Sequence, residues 1–351
     1  MKVLAIVQAR MGSTRLPNKV MREVGGIPLI ELLLTRLSQS TAIDQIVLAT
    51  SIDPKNIPLV QHVESLGYQS FQGSENDVLE RFYFAAQQFA GDIIIRITGD
   101  CPLIDPQLVD EAIHKFKTGD VDYLCNANPP TFPDGLDIEV FSFAALERAH
   151  NEAPSPSDRE HVTPYIRESG HFSTLNVTAD QDFSNLRWTV DEDQDLEVVR
   201  FVVEHFAPNR LFSWKDVLRI YETYSVELNR NSAIARNEGA TMGTGQKLWK
   251  RAKAVIPGGN MLLSKRAEMF LPDQWPAYFS KSKGCKVWDL DGNEYTDMSI
   301  MGIGTNILGY GNDEVDDAVR KTVDSGNMST LNCPEEVYLA EKLVEMHPWA
   351  D

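Results

Sequence analysis

Two spacings of apolar residues alternate along the first 230 positions. Short, nearly continuous runs at Val3–Gln8, Gln45–Thr50 and Asp92–Ile97 have the length and β-branched content of strands buried on both faces. Between them apolar residues recur every three or four positions, as in Ile30, Leu33, Leu34 and Leu37, the stripe of an amphipathic helix. The same spacing predicts helices over Asp77–Phe89, Pro106–Lys115 and Leu196–His205, and later strands are expected at Leu136–Val140 and Phe172–Val177. Gly25-Gly26-Ile27-Pro28 is a turn feeding the first of these helices. Strands alternating with helices build an α/β domain on a parallel sheet.

The pattern changes after Arg230. Asn231–Gln246 is rich in small and polar residues without an apolar period, so we expect a linker over 231–246, between a domain at 1–230 and a second segment at 247–351. In that segment Lys286–Tyr295 predicts a β-hairpin turning at Asp291-Gly292, and Val315–Val323 and Glu335–Met346 predict helices. The chain then stops with no closing element, which suggests a truncated domain.

Length and charge narrow the chemistry. The 351 residues suit two or three domains, and 33 Lys+Arg against 51 Asp+Glu leave a formal charge of -18. Such a surface repels nucleic-acid backbones and anionic membranes, so neither is an expected partner, and any bound phosphate must meet a local basic cluster. Four scattered cysteines and the lack of a leader or membrane span fit reduced thiols in the cytoplasm.

That basic cluster is present. Gln8-Ala-Arg10-Met-Gly12-Ser-Thr-Arg15-Leu-Pro17-Asn-Lys19 follows the first strand, placing Arg10, Arg15 and Lys19 among small residues at the carboxyl edge of a sheet. It follows neither the Walker nor the GxGxxG order, yet suits a triphosphate. Asp100, directly after a β-branched strand, is a hard oxygen ligand for magnesium beside phosphates, and Asp191 could complete the site. Asp105 before Pro106, and Asp193 and Asp195 before the late helix, read as caps. Asp137 and Glu139 alternate on one strand face, which suits either hydroxyl recognition or a solvated face. His161 could pair with an acid group or be structural.

Taken in order, these patches resemble the cytidylyltransferases that activate acidic sugars, and most closely their spore-coat-polysaccharide branch. The resemblance rests on QARMGSTRLPNK, GSENDVLERF from Gly73, RITGDCPLI, FPDGLDIEVF, SDREHVTPY and TVDE. It implies a Rossmann-like nucleotidyltransferase core with a mixed, mostly parallel sheet. It also implies a CTP-phosphate loop that includes Gln8, Ala9, Met11, Gly12 and Ser13, and a base lying over Ala9 and the Gly73–Asp77 loop with Ser74 and Asp77. Asp100 and Asp191 are then its Mg2+ aspartates, and a sugar-like acceptor lies near Asp137, Glu139, Arg159 and His161. Cys101 stands where the octulosonate enzymes carry a glutamate. From about Gly245 onward, IPGG, VWDLDGNEYTDM and the glycines from Gly302 to Gly309 resemble the N-terminal part of class III, fold-type I aminotransferases, especially glutamate-1-semialdehyde aminomutases. That likeness implies an incomplete pyridoxal-phosphate (PLP) domain, with PLP bound only by a longer bifunctional protein, and a homodimer.

Overall fold

The computed structural model describes residues 1–13, 15–232, 234, 236, 243–272, 274–299, 302, 304–326 and 329–349. The chain divides into two compact units, Met1–Thr241 and Met242–Asp351.

The first unit opens with strand β1 (Val3–Gln8), a small hairpin of β2 (Glu23–Val24) and β3 (Ile27–Pro28), helix α1 (Leu29–Leu37) and strand β4 (Gln45–Ser51). Helix α2 (Ile57–Ser65), strand β5 (Gln69–Gly73), helix α3 (Val78–Gln88), strand β6 (Ile93–Thr98) and helix α4 (Pro106–Thr118) follow. Strands β7 (Tyr123–Cys125) and β8 (Glu139–Ser142) precede helices α5 (Phe143–Glu152), α6 (Pro156–His161) and α7 (Pro164–Glu168). Strand β9 (Thr174–Asn176) and helices α8 (Asp193–Phe206), α9 (Trp214–Tyr221) and α10 (Ser225–Leu228) complete the strands and α-helices among the described residues of this unit.

The sheet order is β5-β4-β1-β6-β8-β7-β9. Strands β5, β4, β1 and β6 are parallel, β8 is antiparallel to both β6 and β7, and β9 runs parallel to β7. The sheet is therefore mixed and mostly parallel. Val3, Ala5, Val7, Ile93, Ile95 and Ile97 pack into one core, while Leu4, Ile6 and Ile94 pack into a second on the opposite face. Burial on both faces is why these strands read as unbroken apolar runs rather than alternating ones. Because β1 and β6 are parallel neighbours with Gln8 opposite Thr98, the loops that follow them leave the sheet at the same edge.

The structure moves one expected strand. Leu136–Val140 becomes strand only from Glu139, because the buried Asn126 amide donates to the Leu136 carbonyl at 2.8 Å and accepts from Ile138 N–H at 2.8 Å. A side chain thus takes the bonds that a neighbouring strand would supply. The start of the expected linker also shifts. Asn231 is buried in the first unit, donating to the Arg187 carbonyl and the Asp195 carboxylate, and Arg236 donates to the Phe132 carbonyl at 3.0 Å. Positions 233, 235 and 237–242 of the expected linker lie outside the described residues.

In the second unit, helix α11 (Thr244–Val255) precedes an antiparallel sheet of β10 (Phe279–Lys283), β11 (Lys286–Asp289) and β12 (Glu294–Thr296). The β11–β12 connection holds Gly292 at φ +85, as the hairpin signal at Asp291-Gly292 requires. A small core forms around Trp249, Ala252 and Ala267. Helices α12 (Asp313–Ser325) and α13 (Glu335–Met346) have no buried residue among those described, so Val315, Val319, Val323, Leu343 and Val344 are exposed. Among the described residues, no helix is long and apolar enough to cross a membrane.

Candidate active site

Gly99, the first residue beyond β6, donates its N–H to the Gln8 carbonyl at 2.8 Å. A Cβ here would lie 2.7 Å from the Ala9 Cβ and 3.1 Å from the Gln8 oxygen, so only glycine lets the two loops run this close. Asp100 comes next, and its carbonyl accepts from Val190 N–H at 2.8 Å and the Thr189 hydroxyl at 3.1 Å. These two bonds clip the Thr189–Asp191 segment onto the loop. Gly135, at φ +104, makes room for that segment, since its Cβ would stand 2.5 Å from the Thr189 nitrogen.

Lys19 binds the two aspartates together. Its Nζ donates to Asp100 Oδ2 at 2.7 Å and to Asp191 Oδ1 at 2.9 Å. Burial opposes the ammonium charge, but the charges and hydrogen bonds of Asp100 and Asp191 outweigh it and raise the Lys19 pKa. Burial likewise works against the Asp100 carboxylate, and Lys19 more than compensates, holding it at about 2. Arg15 joins the same cluster, 3.0 Å from Asp191 Oδ1 and 3.8 Å from Glu192.

Behind Asp191 stands a residue absent from the sequence-based set. The buried Arg187 guanidinium donates to Asp134 at 2.6 Å, Asp195 at 2.9 Å and Asp191 Oδ2 at 2.9 Å. Asp195, expected as a plain cap, is wholly buried; it accepts from the N–H groups of Asp191 and Glu192 and also anchors Arg187. Asp105 does cap α4, accepting from Gln107 and Leu108 N–H groups.

Arg10 reaches the loop after β5, pairing with Glu75 at 2.8 Å. The loop that carries it is held by Asn56, whose side-chain oxygen accepts from Met11 N–H at 2.8 Å, while Ser13 N–H donates to the Met11 carbonyl at 3.0 Å. Nothing lies within 4 Å of a Cβ built on Gly12, leaving that backbone open to a ligand. Thr14 lies outside the described residues. In the second loop, the Ser74 hydroxyl accepts from Asp77 N–H at 3.0 Å and Asp77 caps α3 through Glu80 N–H at 2.8 Å. The loop thus brings Gly73, Ser74 and Asp77 into register beside Glu75.

The expected acceptor residues engage different partners, although Asp137 and Glu139 lie close enough for the Glu139 charge to act on Asp137. Arg159 is held on Asp77 at 2.6 Å and on the His150 carbonyl at 2.6 Å, on the side of the Ser74 loop. Glu139 is buried and saturated: Tyr123 and Thr163 hydroxyls both donate to it at 2.6 Å, and Arg96 pairs with it. Burial alone would raise its pKa, but Arg96 and the hydroxyl donors lower it, so the Glu139 carboxylate is held charged by partners within the fold. Asp137 pairs with Arg236 and keeps 28% of its side chain exposed. His161 ends α6, where its carbonyl accepts from Thr163 N–H at 2.9 Å.

Residues 4–199 match the model of the cytidylyltransferase family. The chain belongs to that family. The chain is 36% identical over 248 residues to the spore coat polysaccharide biosynthesis protein SpsF of Bacillus subtilis strain 168, covering 68% of this chain and 98% of that one. It superimposes on a cytidylyltransferase from Leptospira borgpetersenii serovar Hardjo-bovis with a TM-score of 0.63 and 32% identity, over 66% of this chain and 98% of that chain. Over 111 residues it is also 32% identical to a glutamate-1-semialdehyde 2,1-aminomutase of Methanococcoides burtonii, covering 32% of this chain and a quarter of that relative. The α/β fold is thus that of a nucleotidyltransferase, with the Lys19–Asp100–Asp191 cluster at its sheet edge.

The residues that sequence reasoning missed share one property. Arg187 and Asp134 are buried, and Arg96 and Arg236 half-buried, each against an opposite charge. Arg187 sits within RWTVDE, three residues before Val190, and an arginine inside an apolar run is the one signal that could have singled it out.

Proposed function

We propose that the first unit transfers CMP from CTP to the oxygen of an acidic sugar or related acceptor, releasing pyrophosphate. The observation that carries this reading is the convergence of Lys19 and Arg15 on Asp100 and Asp191, beside a loop with an open glycine, in a chain of the cytidylyltransferase family. Arg10, Arg15 and Lys19 would orient the β- and γ-phosphates, and Gly12 and its neighbours would let the backbone approach them. The base would lie between Ala9 and the Gly73–Asp77 loop. Catalysis then consists of alignment and charge stabilisation, because the in-line attack on the α-phosphorus asks no covalent step of the protein.

The donor set fits magnesium. Asp100 and Asp191 already direct oxygen atoms at one cation, 2.7 and 2.9 Å from Lys19 Nζ, and Asp100 stays ionised. Two carboxylates completed by substrate phosphates are the usual provision for this ion, and when bound it would neutralise phosphate charge. Among the described residues no group of three or more His, Cys, Asp or Glu forms a metal site, so we assign only this pair.

The SpsF relative suggests a place in surface-polysaccharide synthesis, and the aminomutase relative suggests that the second unit is the N-terminal part of an aminotransferase domain, making the activity part of a bifunctional protein. We assign no PLP ligand within this chain. The test is pyrophosphate release from CTP, UTP, GTP and ATP with magnesium, against N-acetylneuraminate, 3-deoxy-manno-octulosonate, glycerol 3-phosphate and ribitol 5-phosphate. Turnover with CTP and an acid sugar supports the reading. Turnover with a polyol phosphate alone replaces it with synthesis of a CDP product.

A further inference from the structure

The family match ends at residue 199, yet two residues far beyond it are built into the carboxylates around the site. Asn231 is 1% exposed, and its side-chain amide donates to Asp195 Oδ1 at 2.8 Å and to the Arg187 carbonyl at 2.9 Å. It therefore braces the backbone of Arg187 and the Asp195 carboxylate on which the guanidinium rests. Five residues on, Arg236 pairs with Asp137, lies 4.0 Å from Asp134 and donates to the Phe132 carbonyl at 3.0 Å. The charges form an alternating ladder, Asp191–Arg187–Asp134–Arg236–Asp137, that starts at the proposed metal pair and ends at a partly open carboxylate.

The far end of the ladder can meet a substrate. Glu139 has its oxygens occupied by Arg96, Tyr123 and Thr163 and is 11% exposed, whereas Asp137 keeps 28% of its side chain open and, among the described residues, has one guanidinium as its ion-pair partner. A carboxylate has about four lone-pair positions, so Asp137 retains capacity to accept from a hydroxyl. It also acts electrostatically on Cys101, the residue after Asp100, so it lies close to the proposed metal pair's loop.

We propose that Arg236 is a positioning residue for the acceptor. It keeps Asp137 a carboxylate aimed at a hydroxyl of a polyhydroxylated acceptor, while Asn231 steadies the other end of the same ladder. The groups facing Asp137 are Arg236, Asp134, Glu139 and Cys101. Without Arg236, Asp137 stands near two other carboxylates with no cation of its own, and like charges in a buried site drive proton uptake. A protonated Asp137 exchanges an acceptor position for a donor. Burial already raises its carboxyl to about 6 despite Arg236, so there is little reserve.

The inference rests on the cytidylyl-transfer reading, and the experiment separates the two. In the full chain, wild type, Arg236→Gln, Arg236→Lys, Asp137→Asn and the Arg236→Gln/Asp137→Asn double variant are compared for CTP dissociation by calorimetry. Their acceptor KM is measured by pyrophosphate release with the best substrate of the four-acceptor panel. We expect CTP affinity within about twofold of wild type, and an acceptor KM raised about tenfold by R236Q and by D137N, the loss of one hydrogen bond to a charged group. The double variant should be no worse than either single one, R236K should recover part of the loss, and R236Q should move the acidic limb of kcat/KM for the acceptor to higher pH. D137N keeps the test decisive if R236Q fails to fold. An unchanged acceptor KM in D137N, or multiplicative losses in the double variant, would overturn the role of Arg236. Failure of wild type to bind CTP or to use any panel member would overturn the transfer reading instead.

Discussion

Replacing Arg187 with methionine removes a guanidinium that is 5% exposed and donates to three carboxylates, while keeping most of the side chain's apolar volume. Breaking a buried ion pair by deleting one partner costs about 3–5 kcal/mol, because the abandoned charge stays buried. Asp195 would retain the Asp191 and Glu192 N–H donors and the Asn231 amide, and Asp191 would retain Lys19 and Arg15, so the lower end of that range applies even though Asp134 keeps, among the described residues, Arg236 at 4.0 Å alone. About 3 kcal/mol corresponds to a change of roughly 100-fold in the opening equilibrium. Amide hydrogen exchange in the intact chain reads it locally: Trp188 N–H donates to the Asp134 carbonyl and Val190 N–H to the Asp100 carbonyl, both beside the deleted charge. R187M should speed exchange at both by about two orders of magnitude under conditions where exchange follows the opening equilibrium. Arg187→Lys should recover only part, since an ammonium cannot fork to three acceptors. Acceleration of less than about threefold in R187M would refute the view that this guanidinium organises the segment bearing Asp191.

Three further outcomes follow from the same geometry. Gly99→Ala should lower turnover at least about tenfold and destabilise the first unit by about 1–3 kcal/mol, because its methyl collides with Ala9 and the Gln8 carbonyl; steady-state rates and urea melts check this. Glu139→Gln should destabilise by about 2 kcal/mol through the charge lost opposite Arg96, yet leave acceptor KM within about twofold, which separates a structural carboxylate from a binding one. Alkylation followed by mass spectrometry should label the exposed Cys285 well before Cys101, a buried thiol whose pKa is driven well above its ordinary value by burial and then by Asp100 and Asp137.

The features legible in the sequence were those written in local patterns. The strands Val3–Gln8 and Ile93–Thr98 emerged because burial on both faces leaves an unbroken apolar run, and Asp105-Pro106 marked its helix start through capping chemistry. Lys19, Arg15, Asp100 and Asp191 were legible because each follows a strand-like run, and parallel strands bring such ends together. Partnerships across long separations were not legible. Nothing in the local sequence shows that Asn126 replaces strand bonds at Leu136 and Ile138, that Arg159 turns to Asp77, or that Arg236 reaches Asp137 from 99 positions away. Asn231 and Arg236 lie in a stretch whose composition resembles a linker, because polar side chains that pack into the domain leave no apolar period to detect.

Asp100 tests the central claim most directly. Asp100→Asn keeps the size of the side chain but removes the charge that Lys19 holds ionised, so the fold should persist while the proposed phosphate and magnesium site loses half of its carboxylates. Pyrophosphate release from CTP with magnesium, using the acceptor that wild type turns over fastest, should fall at least about 100-fold in D100N at a temperature where circular dichroism shows the variant still folded. Near-wild-type turnover in D100N would contradict the assignment of the Lys19–Asp100–Asp191 cluster as the site of cytidylyl transfer.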